Sequence, residues 1–135
     1  MLKEKYHIID YDNLIEGNIY HSTMNITESF AKLYCESIDF EYQPENLPLS
    51  IFAIYKPVFD ALGGRVAQGT VHLKQKIHHS GIPCVGDSYK VEVKIIEKSI
   101  KKGKNYLVWE VLFLRDDILL CKQETANLWA YSKTN

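Results

Sequence analysis

The chain has few cysteines and no close pair of them. Its three, Cys35, Cys84 and Cys121, are odd in number and widely spaced, which excludes a CxxC pair and reads as reduced thiols of a cytoplasmic protein. No long apolar run exists either. Nothing approaches the roughly 20 residues of a membrane span, and the opening MLKEKYHIIDYDNLIEG lacks the apolar centre of a secretory leader. These absences set the expectation of a soluble, cytoplasmic chain with no membrane partner. Net charge is scarce too: the formal value is −1, with no block of like charges, so nothing electrostatic points to nucleic acid. Walker loops, dinucleotide fingerprints, HExxH and GxSxG are all missing, and no cofactor or metal is expected from motif. Repeats, linkers and low-complexity segments are absent as well, leaving one domain over residues 1–135.

What remains is a chain suited to forming a core. Of its 135 residues, 46% are hydrophobic and 12% aromatic, nine of them tyrosine, and a chain of this size buries roughly 70% of its unfolded surface. Two helical signals come first. Thr27 followed by Glu28 favours a helix start, with Asn25 and Glu28 able to form a capping box. Ile26, Phe30, Leu33 and Tyr34 then recur at helical spacing, so a helix is expected near residues 27–37. In LSIFAIYKPVFDALGG, Ile51, Ile54, Tyr55, Val58, Phe59 and Leu62 trace one apolar stripe. Ser50 can cap its start and Gly63-Gly64 its end. Pro57 inside the stripe predicts a kink or two short helices.

From residue 70 onward the period changes to two. In VHLKQKIH, Val71, Leu73 and Ile77 are expected on one face and His72, Lys74, Lys76 and His78 on the other. SYKVEVKI turns Tyr89, Val91, Val93 and Ile95 inward, and NYLVWEVLFL and ILLCKQETANLWA make two more long strands. Short turns at Gly103 and at Arg115-Asp116-Asp117 make these strands antiparallel neighbours. Helices followed by a meander give an α+β plan in which the sheet curls round the apolar segment. Strands apolar on both faces suggest that the outer face is partly covered, as a homodimer would do.

The order of motifs resembles the MaoC-like hot-dog family of (R)-specific enoyl-thioester hydratases and 3-hydroxyacyl dehydratases. The resemblance is carried by Gly17-Asn18-Ile19-Tyr20, Ile26-Thr27-Glu28, Phe30-Ala31, and Pro83 with Gly86-Asp87 before a strand. It implies a hot-dog fold, a curled antiparallel sheet wrapped around a central helix; a cone-shaped fold of the nuclear-transport-factor-2 kind is the competing architecture. It also implies water addition to, or removal from, the double bond beside an acyl thioester of coenzyme A or acyl carrier protein. A base and an acid must then act within roughly 3 Å of the reacting atoms. The family's Asp and His positions fall on Glu36 and Glu41, with Ile38 and Asp39 replacing Asn and Pro. Two carboxylates serving one site repel, so chemistry would require one of them to carry a proton.

The segment before the central helix also departs from the family's His-Gly, reading Leu47-Pro48-Leu49-Ser50. It looks more like the non-catalytic half of two-domain members and the helper subunits of heterodimeric dehydratases. Catalysis, where present, is thus expected at Glu36 and Glu41, and acyl contact at Leu49, Ser50, Ile51 and Tyr55. The expected partner is an identical or different hot-dog chain. A hot-dog thioesterase and a non-enzymatic interaction module are the alternatives.

Three further features are weighed against this reading. His78 and His79, as strand neighbours, point to opposite faces and are poorly placed to share one metal ion. His72 and His78 are expected on one polar sheet face with Lys74 and Lys76. Lys98, Lys101, Lys102 and Lys104 form a charged hairpin region that could attract the phosphates of a thioester carrier.

Overall fold

The computed structural model describes residues 7–130; residues 1–6, part of the leader reading above, and 131–135 lie outside it. Five antiparallel strands form one sheet in the order β1-β3-β4-β5-β2. These are β1 Ile19–Asn25, β2 Val71–His79, β3 Ser88–Lys101, β4 Lys104–Arg115 and β5 Ile118–Trp129. Helix α1 spans Glu28–Ser37, a 3-10 turn spans Leu49–Ala53, and helix α2 spans Lys56–Leu62. The central apolar segment, residues 49–62, packs on the sheet's inner face, with Ile51, Phe52 and Val58 buried.

The period-two reading of the meander holds. Tyr89, Val91, Val93 and Ile95 on β3, and Leu107, Trp109, Val111 and Phe113 on β4, are all at most 1% exposed. Phe52 lies at the centre of the inner face, 5.2 Å from the Tyr89 ring, edge-on, and 5.0 Å from Phe113. The inner face then changes character on β5, where Gln123, Thr125 and Asn127 are buried. Gln123 Nε2 donates to the Phe52 carbonyl at 2.6 Å, and Asn127 Nδ2 to the Leu107 carbonyl at 3.4 Å. The first bond ties the sheet to the turn that crosses it.

Both hairpins are two-residue turns with left-handed backbone. Lys102-Gly103 joins β3 to β4, and Asp116-Asp117 joins β4 to β5, with φ of 52° and 66° at the two aspartates. Positive φ at both central residues matches the strands' right-handed twist.

Helix α1 starts where the sequence indicates. Thr27 Oγ1 accepts from the Phe30 N–H at 3.1 Å, whereas Asn25 Oδ1 accepts from Ser88 Oγ and takes no part in the cap. Thr27→Ala is expected to cost about 1 kcal/mol, read as a lower urea midpoint at unchanged m-value. The second helical signal divides, as Pro57 suggests. Pro57 lies in the first turn of α2, where its missing N–H would have had no intrahelical partner, so the mid-helix cost does not arise. Gly63 ends α2 at φ 84°, its N–H bonded to the Phe59 carbonyl. The expected Ser50 cap is not formed: Pro48 precedes the 3-10 turn, and Ser50 Oγ hydrogen-bonds Tyr34 OH at 2.8 Å instead.

Strand β2 departs from the simple alternation. A register shift between His72 and Lys74 places His72 opposite Asn127 and Lys74 opposite Ala126. His72, Gln75, Ile77 and His79 therefore share the face of the buried β5 residues, while Lys74, Lys76 and His78 lie outside. His72 and His78 do not share a face. Period two alone conveys no bulge, which adds one residue and reverses everything before it.

Candidate functional site

The carboxylate-bearing loop follows α1 and is held by its neighbours. Asp39 adopts φ 57°, and the Phe40 N–H returns to the Cys35 carbonyl at 2.9 Å, turning the chain away from the helix axis. Further along, Val85 N–H donates to the Pro44 carbonyl at 2.7 Å, and Leu47 N–H donates to the Pro83 carbonyl at 3.0 Å. The loop is thus fastened to residues 83–87, which carry the Gly-Asp motif.

Asp87 organises that fastening. Its Oδ2 accepts from the Cys84 N–H at 2.9 Å, Tyr89 OH at 2.6 Å and Arg115 Nη1 at 2.8 Å. Burial, and then the hydrogen bond to Asp87, push the Tyr89 phenol's ionisation far upward, so it remains a neutral donor. Arg115's own hydrogen bond to Asp87, and then the Asp87 charge, hold its guanidinium above its usual value. Gly86, at φ 94°, closes the turn, and its N–H donates to the Ile26 carbonyl just before α1. One aspartate thereby positions both ends of the α1-loop unit.

Within this frame Glu36 lies in the last turn of α1 and Glu41 in the loop beyond; both side chains are exposed. Leu49 and Ser50 are exposed, Ile51 is fully buried against the sheet, and Tyr55 is 44% exposed. Tyr55 stacks on Phe59 at 5.5 Å and its OH lies 3.2 Å from His72 Nδ1. Burial raises the Tyr55 phenol's ionisation.

A groove of about 290 Å³ runs between β1, α1 and α2, lined by Thr23, Met24, Asn25, Phe30, Ile54, Lys56, Pro57 and Asp60. Met24, Phe30, Ile54 and Pro57 form its apolar part, and Thr23, Asn25 and the Lys56–Asp60 pair, 3.2 Å apart, its polar part. Its size is near the lower bound of ligand pockets, about 300 Å³. Ser22 Oγ donates to the Pro57 carbonyl at 2.7 Å, fixing α2 against β1 at this place. The sequence marked the segment; the contribution of Met24 and Phe30 depends on how α1 and β1 converge, which spacing alone does not show.

A second cavity, about 440 Å³, lies on the outer face of the sheet between Lys76, Ile77, His78, Glu110, Lys122 and Glu124. Charged groups dominate it, and it lies across the sheet from the apolar segment. Among the described residues no three His, Cys, Asp or Glu side chains come together to hold a metal ion. Lys98 proves to be a clamp within the fold: Nζ donates to the Tyr11 and Leu14 carbonyls at 2.9 and 2.8 Å and stands 4.4 Å from the Tyr11 ring centroid. That assignment is invisible in sequence, since its partners are more than 80 residues away. Trp109 and Trp129 are core residues.

A five-stranded curled sheet of order β1-β3-β4-β5-β2 packed on a central helical segment is the hot-dog fold. Among the solved structures it matches are hydratases and dehydratases, one of them named as MaoC-like. The hot-dog-like protein from Thermanaerovibrio acidaminovorans matches with a TM-score of 0.59 at 13% identity, over 85% of this chain and 82% of that one. The MaoC-like dehydratase from Rhodospirillum rubrum gives 0.60 at 13% identity, over 91% and 97%. The HadBC complex of Mycobacterium tuberculosis, a 3R-hydroxyacyl-ACP dehydratase, gives 0.65 at 17% identity, over 84% and 96%. At these identities the likeness is one of fold. No protein-family model and no curated protein sequence matches the chain. No helix among the described residues is long and apolar enough to cross a membrane.

Proposed function

We propose that this chain is the acyl-holding member of a hydratase/dehydratase pair. It binds an acyl thioester, of coenzyme A or an acyl carrier protein, beside residues 49–62, and a second hot-dog chain performs the transfer of water. The groove of about 290 Å³ lined by Met24, Phe30, Ile54 and Pro57 carries this reading. Such a lining favours an alkyl chain by about 0.8 kcal/mol for each methylene it buries. Glu36 and Glu41, by contrast, stand in exposed positions, without the dry, preorganised surroundings that stabilise charge developing on a thioester oxygen. That HadBC is a complex of this fold supports the two-chain arrangement.

The test is calorimetric titration with acyl-CoA of rising chain length, alongside a crotonyl-thioester hydration assay. Saturable binding without turnover is expected. Ile54→Trp, filling the groove, should weaken binding at least roughly tenfold, while Glu36→Ala and Glu41→Ala leave it unchanged. Hydration by the wild type that collapses in Glu36→Ala would instead make the chain an enzyme with altered acid/base residues, and release of free thiol would make it a thioesterase.

A second reading draws on the aromatic centre, where Phe52, Tyr89 and Phe113 occupy the space beneath the crossing turn. A filled centre suits a pure interaction module. Failure to bind any acyl thioester selects it.

A further inference from the structure

The rim strand β2 points to the chemistry of the partner. It pairs with β5 on one side and ends the sheet on the other. Eight of its nine residues are exposed, and Val71, Leu73 and Ile77 each leave at least 40% of their surface open. A long, uncovered strand of this kind is a template for another strand. Its sequence, VHLKQKIHH, contains no carboxylate. Lys74, Lys76 and His78 line its outer face; Glu124 faces Lys76 and Lys122 faces His78 from the β5 side. On the sheet side Glu124, Glu110 and Glu97 share outer-face hollows with these lysines; at the free rim no described residue of this chain pairs with β2.

A second copy of this chain fits that rim poorly. Continuing the sheet with both helical layers on the same side lays β2 antiparallel to β2 of the copy. Every central register then sets Lys74 against Lys74, Lys74 against Lys76, or Lys76 against Lys76, on one face. Like charges directly opposed across strands are destabilising. Building on the reading of the chain as one member of a pair, we infer that β2 selects a different hot-dog chain, one whose rim strand presents Asp or Glu opposite Lys74 and Lys76. Val71, Leu73 and Ile77 supply apolar contact common to any such strand, and the lysines supply the choice.

A charge-reversed copy of the chain is the probe. Sedimentation velocity at micromolar concentration compares the wild type, the double variant Lys74→Glu/Lys76→Glu, and an equimolar mixture. Each alone should be monomeric, and the mixture should form a one-to-one dimer, roughly tenfold or more tighter than either homodimer and weakened by high salt. A wild-type homodimer as tight as the mixed one overturns the inference, and so does a mixture that stays monomeric. Lys74 stands opposite Ala126, but Lys76→Glu sets a carboxylate against Glu124 within the chain, which is destabilising; if the double variant loses its native circular dichroism, Lys74→Glu mixed with wild type makes the same comparison. Acyl binding is read separately. A mixed dimer with no acyl binding would end the functional reading and leave the rim chemistry standing, whereas a wild-type homodimer that binds acyl-CoA would do the reverse.

Discussion

Phe52→Ala is expected to destabilise the protein by about 3–5 kcal/mol, seen as a Tm lowered by roughly 10–20 °C or a proportionate fall in the urea midpoint. The side chain is 1% exposed and touches the sheet at its centre, with ring partners at 5.0 and 5.2 Å. Truncation removes the transfer energy of the ring and opens a void between Tyr89 and Phe113, which the surrounding strands are too well paired to close. Whole-domain stabilities are only about 5–15 kcal/mol, so the change removes a large share. Phe52→Leu should recover more than half of the loss, because most of the volume returns. An alanine variant within 1 kcal/mol of wild type would show that the crossing turn is not what the sheet packs against.

Asp87→Ala ranks next, at about 2–4 kcal/mol. Three donors lose their acceptor at once: the Cys84 N–H, the Tyr89 hydroxyl and the Arg115 guanidinium. Tyr89 is buried, so water cannot readily replace the bond; Arg115 is partly open to solvent, which moderates the cost. Asp87→Asn keeps an acceptor oxygen without the charge and should recover part of the loss. The expected signature is local as well as global. The Val85 and Leu47 amides, which tie the Glu41 loop to residues 83–85, should exchange hydrogen for deuterium faster than those of β3 and β4. Loss of stability without that local effect would mean that the aspartate serves the sheet and not the loop.

The contrast between these two centres shows what the chain's pattern could convey. Tyr89, Val91, Val93 and Ile95 announce their face through strict alternation, and that face is buried. Thr27 marks the start of α1, and Pro57 marks the division of the second helical segment. Gly86-Asp87 was legible as a turn, but Arg115 lies 28 residues from Asp87, and no periodicity links them. On β2 the alternation fails only at Val71 and His72, before the register shift, because a bulge leaves no signature in a strand exposed on both faces. At the candidate site, Glu36 and Glu41 follow from the aligned Asp and His positions, and Leu49, Ser50, Ile51 and Tyr55 from the central apolar segment. The structure buries Ile51 and leaves both glutamates open to solvent. Met24 and Phe30 line the groove through convergence of β1 and α1, a tertiary event with no local cue.

Cys121 illustrates a consequence of having β2 at the rim. The thiol is fully buried on β5, directly across from His79, and burial pushes its ionisation upward. A maleimide cannot reach it while β2 is seated. When β2 peels away, the His79 side of Cys121 loses its cover, so in a Cys84→Ser background, which removes the half-buried thiol, the rate of its alkylation should follow how often the rim lifts. A second strand bound along β2 would slow that reaction, turning one native side chain into a built-in clock for assembly.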